Sequence, residues 1–414
     1  MENEIKININ NPKQLEKLYR EHKGIFTTAF NTVYQELRDE PTAQAWNERL
    51  NYKDESVFWG NKNEILFIVV AAFVGGLIAK MPSFLGVEYD VYMSKNIGFV
   101  VFPVLTMYFI WKQQLSMTKF ILPLILFIGS AIFVNSLPYN EKSATFILTL
   151  MHLPIFLWAI LGYVFIGGDL KNNQKKIAFL NFNGNFMIMT GLIFISGMFF
   201  TGITIALFEL LKIDIKDFYF QQIAVWGLAA MPILSTFLIQ NNPELVNKIS
   251  PTIARIFTPF IFVMLLVFLA TLIYTGMNIY NDRNFLLLFN VLLIGVMAII
   301  LFSLSELTNN IGSKINLMIL LGLALLTIIA NTIALSAITF RLTEFGLSPN
   351  RLAVLGANLL MFVHLLFVSY GLIKNLNGKA NLQYVEAKIA SFIPLYIIWA
   401  AFIAFALPFI FQFN

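Results

Sequence analysis

Apolar residues along this chain are gathered into long, nearly charge-free runs divided by short polar stretches. The runs have the length a helix needs to cross a hydrocarbon core of about 30 Å. They show no regular apolar/polar alternation over segments of about ten residues, so a transmembrane β-barrel fits poorly. Helices are then the remaining way to pair every backbone amide in lipid. The pattern predicts eleven spans, at residues 64–81, 97–112, 119–137, 144–168, 184–211, 219–240, 253–279, 284–306, 314–340, 351–373 and 387–412. The expected fold is all-α: a polytopic transmembrane helix bundle of about eleven helices (64–414) after a short N-terminal cytoplasmic helical segment (1–63). The run at 97–112 is the shortest and also suits a re-entrant piece, so whether it crosses decides the side on which everything downstream lies.

The first 63 residues lack the apolar run of a secretory signal and are expected to stay in the mature protein. Asn11 and Pro12 read as the cap and first position of a helix. From there Leu15, Leu18, Phe26, Phe30, Val33 and Leu37 recur at spacings that predict one apolar face. So short a segment makes a marginal core alone. The face, with Trp46, Leu50, Tyr52 and Trp59, is therefore expected to lie against the membrane surface or the bundle. A structural cap is the plain reading, and a docking site for a cytoplasmic protein over residues 12–59 is the sharper one.

Composition agrees with lipid as the solvent. Hydrophobic residues make up 58% of the chain and charged residues 12%, against roughly 25% in soluble domains. The absence of cysteine excludes disulfides, thiolate metal sites and thiol nucleophiles. A formal charge of +5 would suggest nucleic acid in a soluble protein. Here Lys and Arg flanking the spans account for it, and no nucleic-acid partner is read. Beyond the basic residues of the first 63, one set of loops holds Lys112, Lys119, Lys171, Lys175, Lys176, Lys248, Lys314, Lys374, Lys379 and Lys388. The other holds fewer: Lys80, Lys95, Lys142, Lys212, Lys216, Arg283, Arg341 and Arg351. That bias predicts a cytoplasmic N-terminus and a C-terminus on the opposite face.

Catalytic or transport chemistry would show as ionisable groups at mid-depth, and the span centres hold almost none. Glu209, Glu306, Lys80 and Arg341 fall at helix ends, from which they are expected to reach water. His152 and His364 are too few for a three-ligand zinc site, and the carboxylates do not cluster, so no metal and no cofactor are expected. Without HExxH, a P-loop or GxSxG, a membrane enzyme is disfavoured. Pro103, Pro123, Pro154, Pro232, Pro259, Pro394 and Pro408 lie in or near span interiors as candidate kinks. Asn331, Thr332, Ser336 and Thr339 on the ninth span, with Asn358 and His364 on the tenth, form a candidate polar stripe. It serves either interhelical hydrogen bonding or the lining of a cavity.

The link between those spans carries the strongest local signals. Gly346 suits the left-handed residue that ends a helix, Ser348 the cap of the next and Pro349 its first position. Arg351 falls where its charge opposes the helix dipole, so Glu344 is expected to clamp Arg351 or Arg341. The alternative is an anion or lipid head-group site formed by the two arginines.

The run Arg341 to Arg351, with Leu352, Leu355 and Tyr370 after it, resembles the R-x-x-E-[YF]-G-L-[ST]-P-x-R signature of a bacterial membrane family catalogued as domain of unknown function 4153. The likeness is specific over roughly the last hundred residues. Phe345 stands where Tyr is more usual, which removes a hydroxyl. Residues up to Tyr52, with Trp46, Asn47, Glu48 and Arg49, resemble an extension of some members. The resemblance implies a polytopic protein of the bacterial inner membrane, its C-terminus then periplasmic, and implies no activity. Two functions are weighed first: a permease-like or channel-like component for a small or lipidic solute, and a non-catalytic scaffold or sensor that binds a cytoplasmic partner. A membrane enzyme acting on lipid comes third.

Overall fold

Polar residues at the ends of the apolar runs also begin the helices. The side chain of Asn61 accepts a hydrogen bond from the Glu64 amide, Ser143 from Phe146 and Asn381 from Tyr384. Each satisfies a donor that a helix start leaves unpaired. The computed structural model of the chain describes every residue except 22, 52–59, 211, 276–279, 281–282, 310–313 and 414. Among the described residues the chain is helical with no strand, and it divides into two compact units, Met1–Phe58 and Trp59–Asn414.

The first unit holds α1 (Glu2–Ile7), α2 (Pro12–Glu21), α3 (Lys23–Val33) and α4 (Pro41–Asn51). Helix α2 starts at Pro12 as predicted, with the Asn11 side chain accepting from the Gln14 amide at 3.3 Å. The expected apolar face, however, is divided between α2 and α3 and folds on itself. Leu15, Phe26 and Phe30 are fully buried together with Ile5, and Trp46 of α4 lies on Phe26 at 5.1 Å. Val33 is buried in the same core and Leu18 packs beside it. This corrects the expectation that the face needs a membrane or the bundle to cover it, because residues from four helices close the core a single helix would leave open. Tyr52 and Trp59, expected on that face, lie outside the described residues. On the surface the Glu16 carboxylate accepts from Arg20 Nε at 2.8 Å and Arg49 Nη1 at 2.7 Å, tying α2 to α4.

Among its described residues the second unit contains eleven helices long and apolar enough to cross a membrane, so the chain is a multi-pass all-α bundle. They are α5 (Lys62–Leu85), α6 (Tyr89–Gln113), α7 (Met117–Ser136), α8 (Ala144–Phe165), α9 (Asn173–Leu210), α10 (Lys216–Asn241), α11 (Pro243–Thr275), α12 (Arg283–Asn309), α13 (Lys314–Phe345), α14 (Pro349–Leu376) and α15 (Leu382–Ile410). The doubtful run at 97–112 is part of the 25-residue α6. Its first turns read as polar because they bond sideways to α7 and its end: Lys95 Nζ donates to the Leu137 carbonyl at 2.6 Å, and Asn96 exchanges amide bonds with Asn135. The helices run unbroken through Pro103, Pro123, Pro154, Pro232 and Pro394.

Two apolar cores organise the bundle. One joins α5, α6, α8, α9 and α10 around Tyr108, Phe109, Leu161 and Ile233. The other joins α11 to α15 with the start of α9 around Leu265, Ile300, Leu323 and Leu365. Helix α9 serves both, and its 38 residues exceed a bilayer's need, so it tilts or projects.

Two π-helical turns, Tyr219–Ala224 and Phe402–Ala406, break the usual ladder. Each offers a carbonyl to a neighbouring helix: Gln221 to Lys80 Nζ at 2.8 Å, and Ala404 to the Thr149 hydroxyl at 3.0 Å. Lys80, expected to reach water, is instead buried at 8% exposure.

Hydrogen bonds between helix ends sort those ends into two sets. At one, Glu64 bonds to Lys112 and Asn241, Gln113 to the Phe165 carbonyl and Lys119 to that of Gly167. At the other, Ser143 bonds to the Phe413 carbonyl and Lys95 to that of Leu137. An odd number of spans thus separates the start of α5 from the end of α15.

Candidate functional site

The predicted polar stripe divides in two. Successive helix positions differ by about 100°, so Asn331 and Thr332 face different ways. Thr332, Ser336 and Thr339 recur at i, i+4 and i+7 on an exposed face, and the first two return their hydroxyls to the carbonyls of Ile328 and Ile333. They do not face Asn358, which corrects the expectation of one continuous stripe.

Asn331, Asn358 and His364 are fully or almost fully buried, with exposures of 0%, 1% and 0%. Asn331 Nδ2 donates to the Asn358 carbonyl at 3.0 Å, and Asn358 Nδ2 donates to Asn290 Oδ1 at 2.7 Å. Asn290 in turn donates to the Leu286 carbonyl, so carboxamides link α12, α13 and α14. His364 stacks on Phe392 at 4.5 Å and shares a hydrogen bond between Nδ1 and the Tyr396 hydroxyl at 3.1 Å, which links α14 to α15.

These links leave polar atoms without partners. Asn331 Oδ1, Asn358 Oδ1, His364 Nε2 and Ser369 Oγ are buried and unbonded, all four on α13 and α14. Among the described residues the other two such atoms belong to Thr106 and Asn185. Each orphaned atom costs about 1–3 kcal/mol unless water or a solute satisfies it.

No family model, curated protein or solved structure matches the chain.

At the corner between α13 and α14, Gly346 adopts φ +72°, Ser348 caps α14 by accepting from the Arg351 amide, and Pro349 opens the helix. Among the described residues Glu344 forms no ion pair, so the expected clamp is not made. Arg351 turns back instead: Nη1 donates to the carbonyls of Phe345 at 2.8 Å and Gly346 at 2.6 Å, the negative end of α13. The Arg341 and Arg351 guanidiniums lie 5.8 Å and 5.4 Å from the centre of the Phe345 ring. Both guanidiniums thus lie beside the one ring of Phe345.

Sequence reasoning missed the densest polar hub. Glu64, 4% exposed, accepts on Oε1 from the Tyr108 hydroxyl at 2.7 Å, Lys112 Nζ at 3.0 Å and Asn241 Nδ2 at 3.0 Å. Tyr108 is wholly buried. A faint signal existed, since Tyr108 and Lys112 stand four apart and share a helix face. Nothing local announces that Glu64 meets Asn241, 177 residues away.

Proposed function

We propose that this protein is a permease-like or channel-like component of a bacterial inner membrane, with the Glu64 end cytoplasmic, and that its path runs through the half built from α12 to α15. The observation that carries the reading is the concentration of four buried, unbonded polar atoms on α13 and α14. These atoms are neutral acceptors and donors, and no carboxylate or ammonium lies among them. Of the two solute classes the sequence leaves open, small or lipidic, they suit a small polar molecule or water better than a lipid. The likeness of the Arg341–Arg351 corner to a bacterial membrane family supports the location.

Reconstituted vesicles test this by light scattering after an osmotic step with glycerol or urea. Vesicles carrying the protein are expected to equilibrate several-fold faster than empty ones, and Asn358→Leu is expected to remove most of the gain. Equal rates for empty and loaded vesicles would overturn the reading.

The scaffold or sensor reading draws on one observation of its own, that the first unit closes its own core. Deleting residues 1–58 separates the two. Under transport the flux persists, and under the scaffold reading a co-purifying soluble protein is lost while no flux exists to change.

A further inference from the structure

At the same end of the bundle as Glu64, the starts of α9 and α15 diverge around a cavity of about 510 Å³. Its polar lining is Gln174, Asn181, Asn381, Gln383 and Glu386, with no Lys or Arg among the lining residues. The volume falls in the range of small-molecule sites, about 300–1,000 Å³.

Glu386 is the decisive group. It is half-buried, and among the described residues it forms no ion pair, although Lys374 and Lys388 lie near it in sequence. Both lysines are turned onto aromatic rings. Lys374 Nζ lies 4.6 Å from the centre of Tyr370 and 5.3 Å from that of Tyr384. Lys388 Nζ lies 5.4 Å from Phe367 and 5.3 Å from Tyr384. Helix periodicity explains the division, because Leu382, Gln383 and Glu386 border the cavity while Tyr384 and Lys388 share a neighbouring stripe. The cavity therefore presents one carboxylate without a protein cation beside the carboxamide of Gln174, while Asn181, Asn381 and Gln383 already hydrogen-bond within the protein and Asn381 and Gln383 keep part of their capacity.

We infer that this cavity binds a small organic ammonium compound that also carries hydroxyl or amide groups, its charge on Glu386 and its polar groups on the carboxamides. An anion is disfavoured by the lone carboxylate. The site's occupancy is read by binding alone and does not depend on conduction.

The test is calorimetric titration of the full-length protein in detergent at pH 6.5 with glucosamine, ethanolamine and glucose. Glucosamine and glucose match in size and hydroxyls and differ in the ammonium group. Binding of either amine, at least about tenfold tighter than glucose (1.4 kcal/mol) and lost in Glu386→Gln, is the expected result. Gln383→Leu, an exposed change, should weaken glucosamine several-fold while leaving the ligand-free melting temperature unchanged. The inference is overturned if neither amine binds or glucose binds as well as glucosamine. It is also overturned if both variants, folded by their melting temperatures, bind like the parent.

Discussion

Residue by residue, the strongest polar commitments in this protein are made by Glu64 and Arg351, and their partners decide how substitutions act. Three donors converge on one Glu64 oxygen. Glu64→Ala removes the acceptor that Tyr108, Asn241 and a partly buried Lys112 share, leaving Lys112 the Tyr108 hydroxyl and Asn241 the Phe237 carbonyl, whereas Glu64→Gln keeps an acceptor and loses only the charge. The alanine change should cost about 3–5 kcal/mol, the range for breaking a buried pair at one partner, and the glutamine change clearly less. Melting temperatures in detergent give the order, and a glutamine variant as unstable as the alanine one would mean that charge alone matters. At the α13–α14 corner the guanidinium satisfies two carbonyls at a helix C-terminus while Glu344 satisfies nothing. Arg351→Gln should therefore lower stability by about 1–2 kcal/mol, with Glu344→Gln near neutral. The opposite ranking in the same assay would restore the clamp that the sequence suggested.

Between elements, single side chains set which helices meet. Trp399 of α15 covers Gly356 of α14 so closely that a Cβ there would lie 2.0 Å from the indole ring, a contact no pattern of hydropathy reveals. In the first unit, α2 and α4 are joined through Glu16, whose carboxyl is held below the usual range by hydrogen bonds from Arg20 and Arg49. A folded pKa below the unfolded value means the contribution is present above the unfolded value and is lost as pH falls through the folded one. The unfolded value is about 4.3. Hydrogen exchange of the full chain should thus show amide protection in α2 and α4 declining together as pH drops below that point. Glu16→Gln should flatten this decline. A decline unchanged in the variant would assign the acid response to other carboxyls.

For the molecule as a whole, the count of spans is the quantity with most consequence, because each crossing reverses the side of everything after it. With α6 long enough to cross, the bundle has eleven candidate spans. The proposed orientation, a cytoplasmic N-terminus and a C-terminus outside, rests on that count together with the Lys/Arg bias. Alkaline phosphatase fused after Asn414 should be active and a cytoplasmic reporter there inactive, and the reverse would remove one span from the count. The fold class and the spans were legible because lipid leaves the backbone one economical solution and long apolar runs record it directly. The caps at Asn11 and Ser348 and the turn at Gly346 were legible because their partners lie within three or four residues. The first unit's core was half legible: the apolar positions were visible, but whether they face lipid, the bundle or each other depends on how α1 to α4 fold together. The sites were the least legible. Glu64, Lys80 and Asn358 are satisfied or left wanting by atoms on other helices, and a linear pattern carries helix faces but not which faces meet. The sequence alone thus determined that this chain lives in a membrane as a bundle of helices. Which polar groups are buried together inside that bundle, and which are left without partners, was decided only by tertiary packing, since it brings together residues that no local rule relates.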